Sequence, residues 1–330
     1  MLFKIKTNVK MLKPQNETAI QEAIDTVALA KSICQKEPVR ANTLIEQVCS
    51  QFPSLPIETK AEALFAKGIA NKVLGKWKSS EEALTEAKRL YEQIGRSDMV
   101  AKLLNALATL YMEQGNYTKV MEYFQQSLAV WVETNNLEGI ATVSNNLGNV
   151  FYYMADYMRA LEHYQKAFKI RESIGKHSEN RNTLNNLGVV YMAMRDYENA
   201  VQMFEKCLKF KSVSEGLENE SIAMLNLAEA SRNLGKMKES ENAFETARSL
   251  CERLGQKVGV ARALRGQGLI LEMQNRLREA ITRFQQSLET FEQTEAKREI
   301  ALTCCRLGKS YSKLQQENSN AISPRTPSMD

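Results

Sequence analysis

The chain has 330 residues, 43% of them apolar, which is enough for a large buried core and excludes disorder as its general state. Its 44 Lys and Arg residues against 39 Asp and Glu residues give a net charge of +5, and most of this excess lies at Lys4, Lys6, Lys10 and Lys13. The remainder is nearly neutral and contains no apolar run of roughly 18 to 20 residues, so composition indicates neither a nucleic-acid-binding nor a membrane-spanning protein.

The first predicted element is a basic segment, residues 1–16, which lacks the apolar core and cleavage site of a secretory signal. A mitochondrial presequence is the weaker alternative, because the segment is basic and acid-free but contains neither Arg nor Ser. The six cysteines never form a C-x-x-C spacing, and His163 and His177 are the only histidines. We therefore predict reduced thiols, no metal, no cofactor and a cytoplasmic location.

Residues 17–60 are predicted to form a degenerate helix pair that caps the N-terminal end of a helical array. Ala19, Ala23, Ala28 and Ala30 recur along the first helix of this pair. The apolar residues of the second helix are Leu44, Ile45 and Val48.

From residue 61 the sequence repeats with a period of 40 residues, and repeats begin at residues 61, 101, 141, 181, 221, 261 and 301. Positions eight, twenty and twenty-seven are mostly Gly, Ala or Ser, whereas position twenty-four is leucine or aromatic. Small residues at fixed spacing let two helices approach closely, and glycines such as Gly95, Gly175 and Gly255 are expected to end the second helix of a pair. The pattern predicts an all-α array over residues 61–316, made of six helix pairs and a terminal capping helix.

The predicted capping helix begins the seventh repeat. Cys304 stands at position four, where the repeat pattern predicts a core residue. The residues that would give this helix a polar outer face are Lys309, Ser312, Lys313, Gln315 and Gln316. Residues 317–330 are predicted to be a disordered tail with two proline-directed candidate phosphorylation sites, Ser323 and Thr326.

Three stretches, LNALATLYMEQGNYTKVMEYFQQSL, NNLGNVFYYMADYMRALEHYQKAF and NNLGVVYMAMRDYENAVQMFEKCL, resemble tetratricopeptide repeats in their small and aromatic positions. The resemblance implies a right-handed superhelical solenoid of antiparallel helix pairs with a concave binding wall. The 40-residue period resembles Pins-type spindle-orientation scaffolds and, more distantly, kinesin light chains, which adds a cytoskeletal association as a possible location. The sequence lacks the Asp-Gln-Arg triplet of a GoLoco motif, so the cellular roles of those families are not carried over.

The predicted concave wall carries positions two, five, six, nine, twelve and thirteen of the first helices, and asparagines recur there. They are Asn105, Asn145, Asn146, Asn149, Asn185, Asn186 and Asn226. An asparagine offers one donor group and one acceptor on a planar amide, which matches the N–H and C=O of an extended peptide. We interpret the set as a reader of peptide backbone. The alternative is that these amides are solvated residues of the helix surface or form hydrogen bonds with neighbouring repeats.

The predicted wall becomes basic from residue 221 onward. Its cations are Arg232, Arg262, Arg265, Arg306, Lys309 and Lys313, against the carboxylates of Glu229 and Glu272. A cleft of one charge sign favours ligands of the opposite sign. We expect acidic groups of a peptide ligand to lie against this half, with Arg262 and Arg265 as the leading pair. The alternative is that several of these side chains pair with neighbouring residues or extend into solvent.

No catalytic pattern accompanies the repeats, because the sequence has neither a G-x-x-x-x-G-K-[ST] phosphate loop nor an H-E-x-x-H metal motif. Gly266-Gln267-Gly268 falls in mid-helix and is interpreted as structural, and His163 as a surface or interface residue. We predict a non-enzymatic scaffold or adaptor that binds an extended or helical peptide segment of a partner protein. The alternatives are a regulatory effector resembling bacterial repeat-containing phosphatases and peptide receptors, and a structural subunit of a larger assembly.

Overall fold

A computed structural model describes residues 14–176, 179–210 and 217–322, with side chains described from residue 18 to residue 319, and all regular structure in these ranges is α-helical. His177, the basic residues before Pro14, and the candidate phosphorylation sites Ser323 and Thr326 lie outside these ranges. The chain divides into two compact units, Met1–Val150 and Phe151–Asp330, termed here the N-terminal and C-terminal units. None of the described helices is long and apolar enough to cross a membrane.

The helices of the N-terminal unit follow the predicted pairs. They are α1 (Pro14–Ile33), α2 (Pro38–Gln51), α3 (Ile57–Val73), α4 (Trp77–Gln93), α5 (Ser97–Glu113), α6 (Tyr117–Glu133) and α7 (Leu137–Tyr153), the last of which continues into the C-terminal unit.

The helices of the C-terminal unit continue the same alternation. They are α8 (Tyr157–Ser173), α9 (Asn180–Ala193), α10 (Tyr197–Lys209), α11 (Leu217–Asn233), α12 (Met237–Arg253), α13 (Lys257–Met273), α14 (Leu277–Glu292) and α15 (Lys297–Ile322).

The helices end at a left-handed residue that recurs every twenty residues. Positive φ angles occur at positions 75, 95, 115, 135, 155, 175, 195, 235, 255, 275 and 295. At Gly95 the cap is of the Schellman type, because Arg96 N–H donates to the Tyr91 carbonyl at 3.0 Å and Gly95 N–H to the Glu92 carbonyl at 3.2 Å. The predicted caps at Gly95, Gly175 and Gly255 are therefore confirmed, and non-glycine residues such as Ala155, with φ 59°, adopt the same conformation elsewhere.

Small residues bring paired helices into close contact, as the repeat pattern predicts. A methyl carbon added at Gly188 would lie 2.5 Å from Phe204 of the following helix. Where position twenty is serine, its buried hydroxyl donates to the carbonyl of position eight, as in Ser80 to Gly68 at 2.7 Å and Ser240 to Ala228 at 2.7 Å. The spacing read from the sequence thus corresponds to the helix–helix interface of these pairs.

The N-terminal end of the array differs in detail from the sequence-based expectation. Helix α1 begins at Pro14, three residues before the predicted start of the cap. Ala23 and Ala30 are buried together with Val27, whereas Ala28 faces solvent because it lies outside the stripe that contacts α2 and α3.

The C-terminal end differs more. Helix α15 continues to Ile322, so residues 317–322, which the sequence predicted to be disordered, are helical. The physical reason is that no proline occurs before Pro324, and polar residues tolerate a helix. Cys304 is exposed, which corrects its prediction as a core residue, because the second helix that would cover position four is missing after α15 among the described residues.

Candidate functional site

The N-terminal unit contains a cleft of about 580 Å³ along the first helices of its repeats. The residues that define this N-terminal cleft are Phe65, Ile69, Lys72, Lys102, Asn105 and Thr109. They occupy positions five, nine and twelve of repeat 61 and positions two, five and nine of repeat 101. All of these positions belong to the wall that the sequence proposes for ligand binding, and of the predicted asparagines this cleft includes Asn105.

The N-terminal cleft combines apolar and polar walls. Phe65 and Ile69 are half-buried, and the indole of Trp131, 5% exposed, is packed against Gly139 at one side. The sequence analysis missed the apolar part, because it searched this wall for a ladder of polar groups. The available signal was the presence of Phe65 and Ile69 at positions where later repeats carry asparagine.

Two lysines give the N-terminal cleft a cationic side. The Lys72 ammonium lies 3.3 Å from a Glu113 carboxylate oxygen and donates to the Thr109 hydroxyl at 3.4 Å. Lys102 is exposed and contacts the Met99 sulfur at 3.9 Å. The arrangement suits an apolar side chain held against Phe65 while polar peptide groups reach the lysines.

The predicted asparagines form hydrogen bonds between neighbouring repeats. In the N-terminal unit Asn146 Nδ2 donates to Asn105 Oδ1 at 2.8 Å, and in the C-terminal unit Asn226 Nδ2 donates to Asn185 Oδ1 at 3.0 Å. Both bonds join position five of one repeat to position six of the next. The members Asn145, Asn149 and Asn186 are half-buried and also have interaction partners.

These amide pairs fit the alternative interpretation in which asparagines connect repeats. Each of these bonds uses one acceptor and one donor hydrogen, and an asparagine amide can make about four hydrogen bonds. The paired amides keep hydrogen-bonding capacity and are already oriented by their neighbours. A further pair, Asn42 Nδ2 to Asn71 Oδ1 at 2.9 Å, joins α2 to α3 and was not predicted.

Three of the predicted cations of the C-terminal unit have carboxylate partners. Arg262 lies 3.9 Å from Glu229 and donates to Asn226 Oδ1 at 3.4 Å, and the Lys313 ammonium lies 2.7 Å from Glu272. Arg265 forms an ion pair with Glu299. The pairing of Arg265 departs from the sequence-based charge balance. That balance omitted Glu299, because position thirty-nine of the repeat that begins at residue 261 was not assigned to the wall.

Arg232 and Arg306 differ from the paired cations, since neither forms an ion pair with a carboxylate in the described parts of the chain. Arg232 is half-buried, and its Nε is buried without a hydrogen-bond acceptor among the described residues. Burial lowers the pKa of the Arg232 guanidinium, Glu229 opposes this shift and Arg306 adds to it, although an arginine stays protonated in any case. Arg306 is exposed. An anion could therefore interact with these two guanidinium groups without first displacing a carboxylate.

The other groups considered in the sequence analysis lie in packed surroundings that fit structural roles. The His163 ring stacks on Phe151 with ring centroids 5.1 Å apart, and burial lowers the pKa of His163. Gly266 and Gly268 lie within α13 against Phe244 and Phe284, so a phosphate-binding role has no support there. Across the described ranges, no group of three or more metal-ligating side chains is found.

Comparison with known proteins places these helix pairs in a recognised family. Two family models described as tetratricopeptide repeat match this chain, one over residues 100–138 and the other over residues 139–212 and 220–293. Together the matches cover more than half of the chain. A search of curated proteins finds no significant match.

Solved structures share the all-α repeat fold. The chain is similar to the apo quorum sensor NprR from B. thuringiensis, with a TM-score of 0.62 and 14% identity over 88% of this chain and 81% of that one. It is also similar to aspartyl phosphate phosphatase F from Bacillus subtilis, with a TM-score of 0.58 and 13% identity over 92% and 85% of the two chains. A signal-transduction ATPase with a tetratricopeptide repeat sensor from Pyrococcus horikoshii gives 0.68 and 17% over 94% of this chain, which spans 51% of the ATPase. At these identities the likeness concerns the fold alone.

Proposed function

Because the chain belongs to the tetratricopeptide repeat family, whose members serve as protein interaction modules, we propose that it is a non-enzymatic adaptor that binds a peptide segment of a partner protein. The observation that carries this proposal is the N-terminal cleft of about 580 Å³, lined by the wall positions of two consecutive repeats. Ligand pockets are commonly concave and mostly apolar, with a small number of polar groups that orient the ligand. We propose an extended or helical segment with an apolar side chain placed against Phe65 and Ile69.

The C-terminal unit supports a preference for acidic ligands. The half-buried Arg232 and the exposed Arg306 form no ion pair among the described residues, whereas Arg262 and Arg265 are engaged with Glu229 and Glu299. A guanidinium group binds carboxylate through two parallel hydrogen bonds when the geometry permits. We propose that acidic residues of the ligand interact mainly with Arg232 and Arg306. Arg262 and Arg265 are proposed as secondary contacts.

The asparagines have a supporting part in this proposal. The inter-repeat bonds hold Asn105, Asn146, Asn185 and Asn226 in fixed orientations. Amides that are already ordered lose less conformational entropy when they bind a peptide backbone. The same residues can thus stabilise the array and offer their remaining hydrogen-bonding groups to a ligand.

Occluding the N-terminal cleft tests the proposal without assuming the ligand's chemistry. A binding peptide is first selected on a peptide array with the full chain and then titrated calorimetrically. Lys102→Trp, which places an indole at the cleft, should weaken binding at least about tenfold, equivalent to about 1.4 kcal/mol. Lys78→Trp, at an exposed position of α4, is the matched control and should leave the affinity unchanged. Equal affinities for both variants would contradict binding in this cleft.

Experiments can distinguish the adaptor from two alternatives. A regulatory effector, as suggested by the likeness to phosphatase F and to the quorum sensor, would change the dephosphorylation rate of a phosphorylated response regulator, whereas an adaptor would only bind its partner. A structural subunit would copurify in a stable assembly. We propose a location in the reducing cytoplasm, because the cysteines have no disulfide-type or metal-type spacing in the sequence. The more specific likeness to Pins-type scaffolds stays a prediction.

A further inference from the structure

Helix α15 leaves open a surface that other first helices bury. In α3, α9 and α13 a methyl carbon added to the glycine at position eight would lie 2.5 to 2.7 Å from a side chain of the following helix. The glycine and side-chain pairs are Gly68 with Leu84, Gly188 with Phe204, and Gly268 with Phe284. Gly308 is the corresponding residue of α15. A methyl carbon added there would have no atom of the described residues within 4 Å beyond its own stretch of helix.

The surface around Gly308 is made of small and aromatic residues. We define this end face by Ala301, Cys304, Cys305, Gly308 and Tyr311, which share one side of the helix and are all exposed. The opposite stripe, which includes Thr303, Leu307 and Ser310, is buried. Tyr311 remains 48% exposed although its hydroxyl accepts a hydrogen bond from Gln285 Nε2 at 2.9 Å. By helical position Ser312 and Gln315, two of the predicted polar residues of the capping helix, continue this side of the helix, whereas Lys309, Lys313 and Gln316 lie beside it. No other described helix covers Gly308.

The internal repeats show what such a face binds. In three internal repeats the second helix places a leucine or an aromatic ring over the glycine at position eight. The residues four before and three after that ring are small in these repeats. Where residues at these positions are serine, they donate to main-chain carbonyls of the first helix. Ser127 donates to Ala101 at 2.9 Å and Ser287 to Ala261 at 2.8 Å, both at position one, the position that Ala301 occupies in α15.

We propose that the end face of α15 binds an amphipathic helix of a partner protein with the pattern Ala/Ser-x-x-x-aromatic-x-x-Ala/Ser. The aromatic ring would fill the space over Gly308, and the two small residues would contact the main chain near Gly308 and Ala301. This contact would continue the interface that α14 forms with α13 by one further helix. It is separate from the peptide-binding clefts of the proposed function.

Charge further specifies the partner helix. By helical position, the charged residues of α15 on or beside the end face are Lys297, Arg298 and Lys309, all exposed cations. The carboxylates of α15 lie elsewhere, since Glu299 is paired with Arg265 and Glu317 is on the opposite side of the helix. The partner helix should therefore carry Asp or Glu on its flanks, where they attract these cations.

The test uses a peptide whose contact with such a face is known from the protein itself. A fluorescein-labelled peptide of residues 277–293, the sequence of α14 with one further residue, is titrated into the full chain and followed by fluorescence anisotropy. We expect saturable binding, because α14 covers the equivalent face of α13. The Phe284→Ala peptide, which lacks the ring, should bind at least about tenfold more weakly. Acidic substitutions at solvent-facing positions of the peptide should strengthen binding at low salt.

A variant of α15 distinguishes this site from exchange with the protein's own α14. Gly308→Leu fills the open space and should reduce binding at least about tenfold without lowering the melting temperature, whereas Glu317→Leu on the opposite side should change neither. Unchanged binding to Gly308→Leu would overturn the proposal. A dimer of the parent chain in sedimentation equilibrium that is lost in Gly308→Leu would also overturn it, because the occupant would then be a second copy. Lys102→Trp should leave this peptide's affinity unchanged.

Discussion

Alanine substitution at two glycines of the same repeat position should have opposite effects on stability. Gly188 and Gly308 both stand at position eight inside a helix, so replacing either by alanine gains the same helix propensity, about 1 kcal/mol. At Gly308 the new methyl group meets no atom of the described residues within 4 Å beyond its own stretch of helix, and the full gain should appear. At Gly188 it would lie 2.5 Å from Cε1 of the buried Phe204 ring.

The expected loss of stability follows from the distance by which the Phe204 ring must move. An ordinary carbon contact begins near 3.4 Å, so the ring or the helix has to move by roughly 1 Å in a closely packed interior. Overpacking of this kind costs about 1 to 3 kcal/mol. Since the propensity gain is common to both sites, the difference between the two variants measures the overpacking and should fall in that range. Gly188→Leu, and Ala200→Leu in the facing helix, should cost more.

Urea unfolding followed by circular dichroism gives the overall order of stability. Because repeat arrays can unfold in parts, amide hydrogen exchange should be measured as well. Gly188→Ala should increase exchange in α9 and α10, and Gly308→Ala should decrease exchange in α15. If Gly188→Ala stabilised the protein as much as Gly308→Ala does, the close contact at position eight and the repeat register would both be refuted.

Three further outcomes follow from the contacts of the site. Replacing Asn146 and Asn226 together by alanine should weaken peptide binding. In urea unfolding the stability should change by less than about 1 kcal/mol per site. The reason is that the lost hydrogen bond, worth about 0.5 to 1.5 kcal/mol, is offset by the higher helix propensity of alanine. Replacing Arg232 and Arg306 together by alanine should lower the affinity for an acidic peptide. It should also reduce the salt dependence of that affinity in calorimetric titrations between about 0.05 and 0.15 M salt. An unaltered salt dependence would remove this pair from the site. Burial lowers the pKa of His163 below its ordinary value near 6.5, so the unfolded state binds the proton more readily and stability should fall as pH drops through about 6.5. Equilibrium unfolding of His163→Phe, which keeps the ring stacking, should show a weaker pH dependence between about pH 5 and 7.

The fold was largely predictable because it depends on local, repeated features. The repeats use largely the same short list of requirements: small residues at most of three positions, a large residue at a fourth, and a left-handed residue every twenty residues. Neighbouring repeats supply the same contacts in each case, so reading one repeat correctly amounts to reading them all. For this reason the buried ring of Phe204 and the helix end at Gly175 could be predicted without knowledge of any distant contact.

For the site residues, the sequence predicted only which face of a helix they occupy. Helical periodicity places Asn105, Arg265 and Phe65 on the wall of the first helices, but it does not specify how far one helix is shifted along the next. That shift pairs position five of one repeat with position six of the following repeat, so Asn105 meets Asn146. It also brings Glu299 to Arg265, which removes a cation that the charge count had assigned to a ligand.

Burial at the end of the array was likewise decided by tertiary structure. A position in a repeat is buried only if the neighbour that covers it is present, and Cys304 and Gly308 occupy core positions of a repeat whose second helix is missing from the described residues. The 40-residue period by itself determined which residues can face one another across a helix pair. The stacking of the helices decided which of them meet another side chain and which remain open to a ligand, because side-chain contacts between helices depend on their offset and on which neighbours exist.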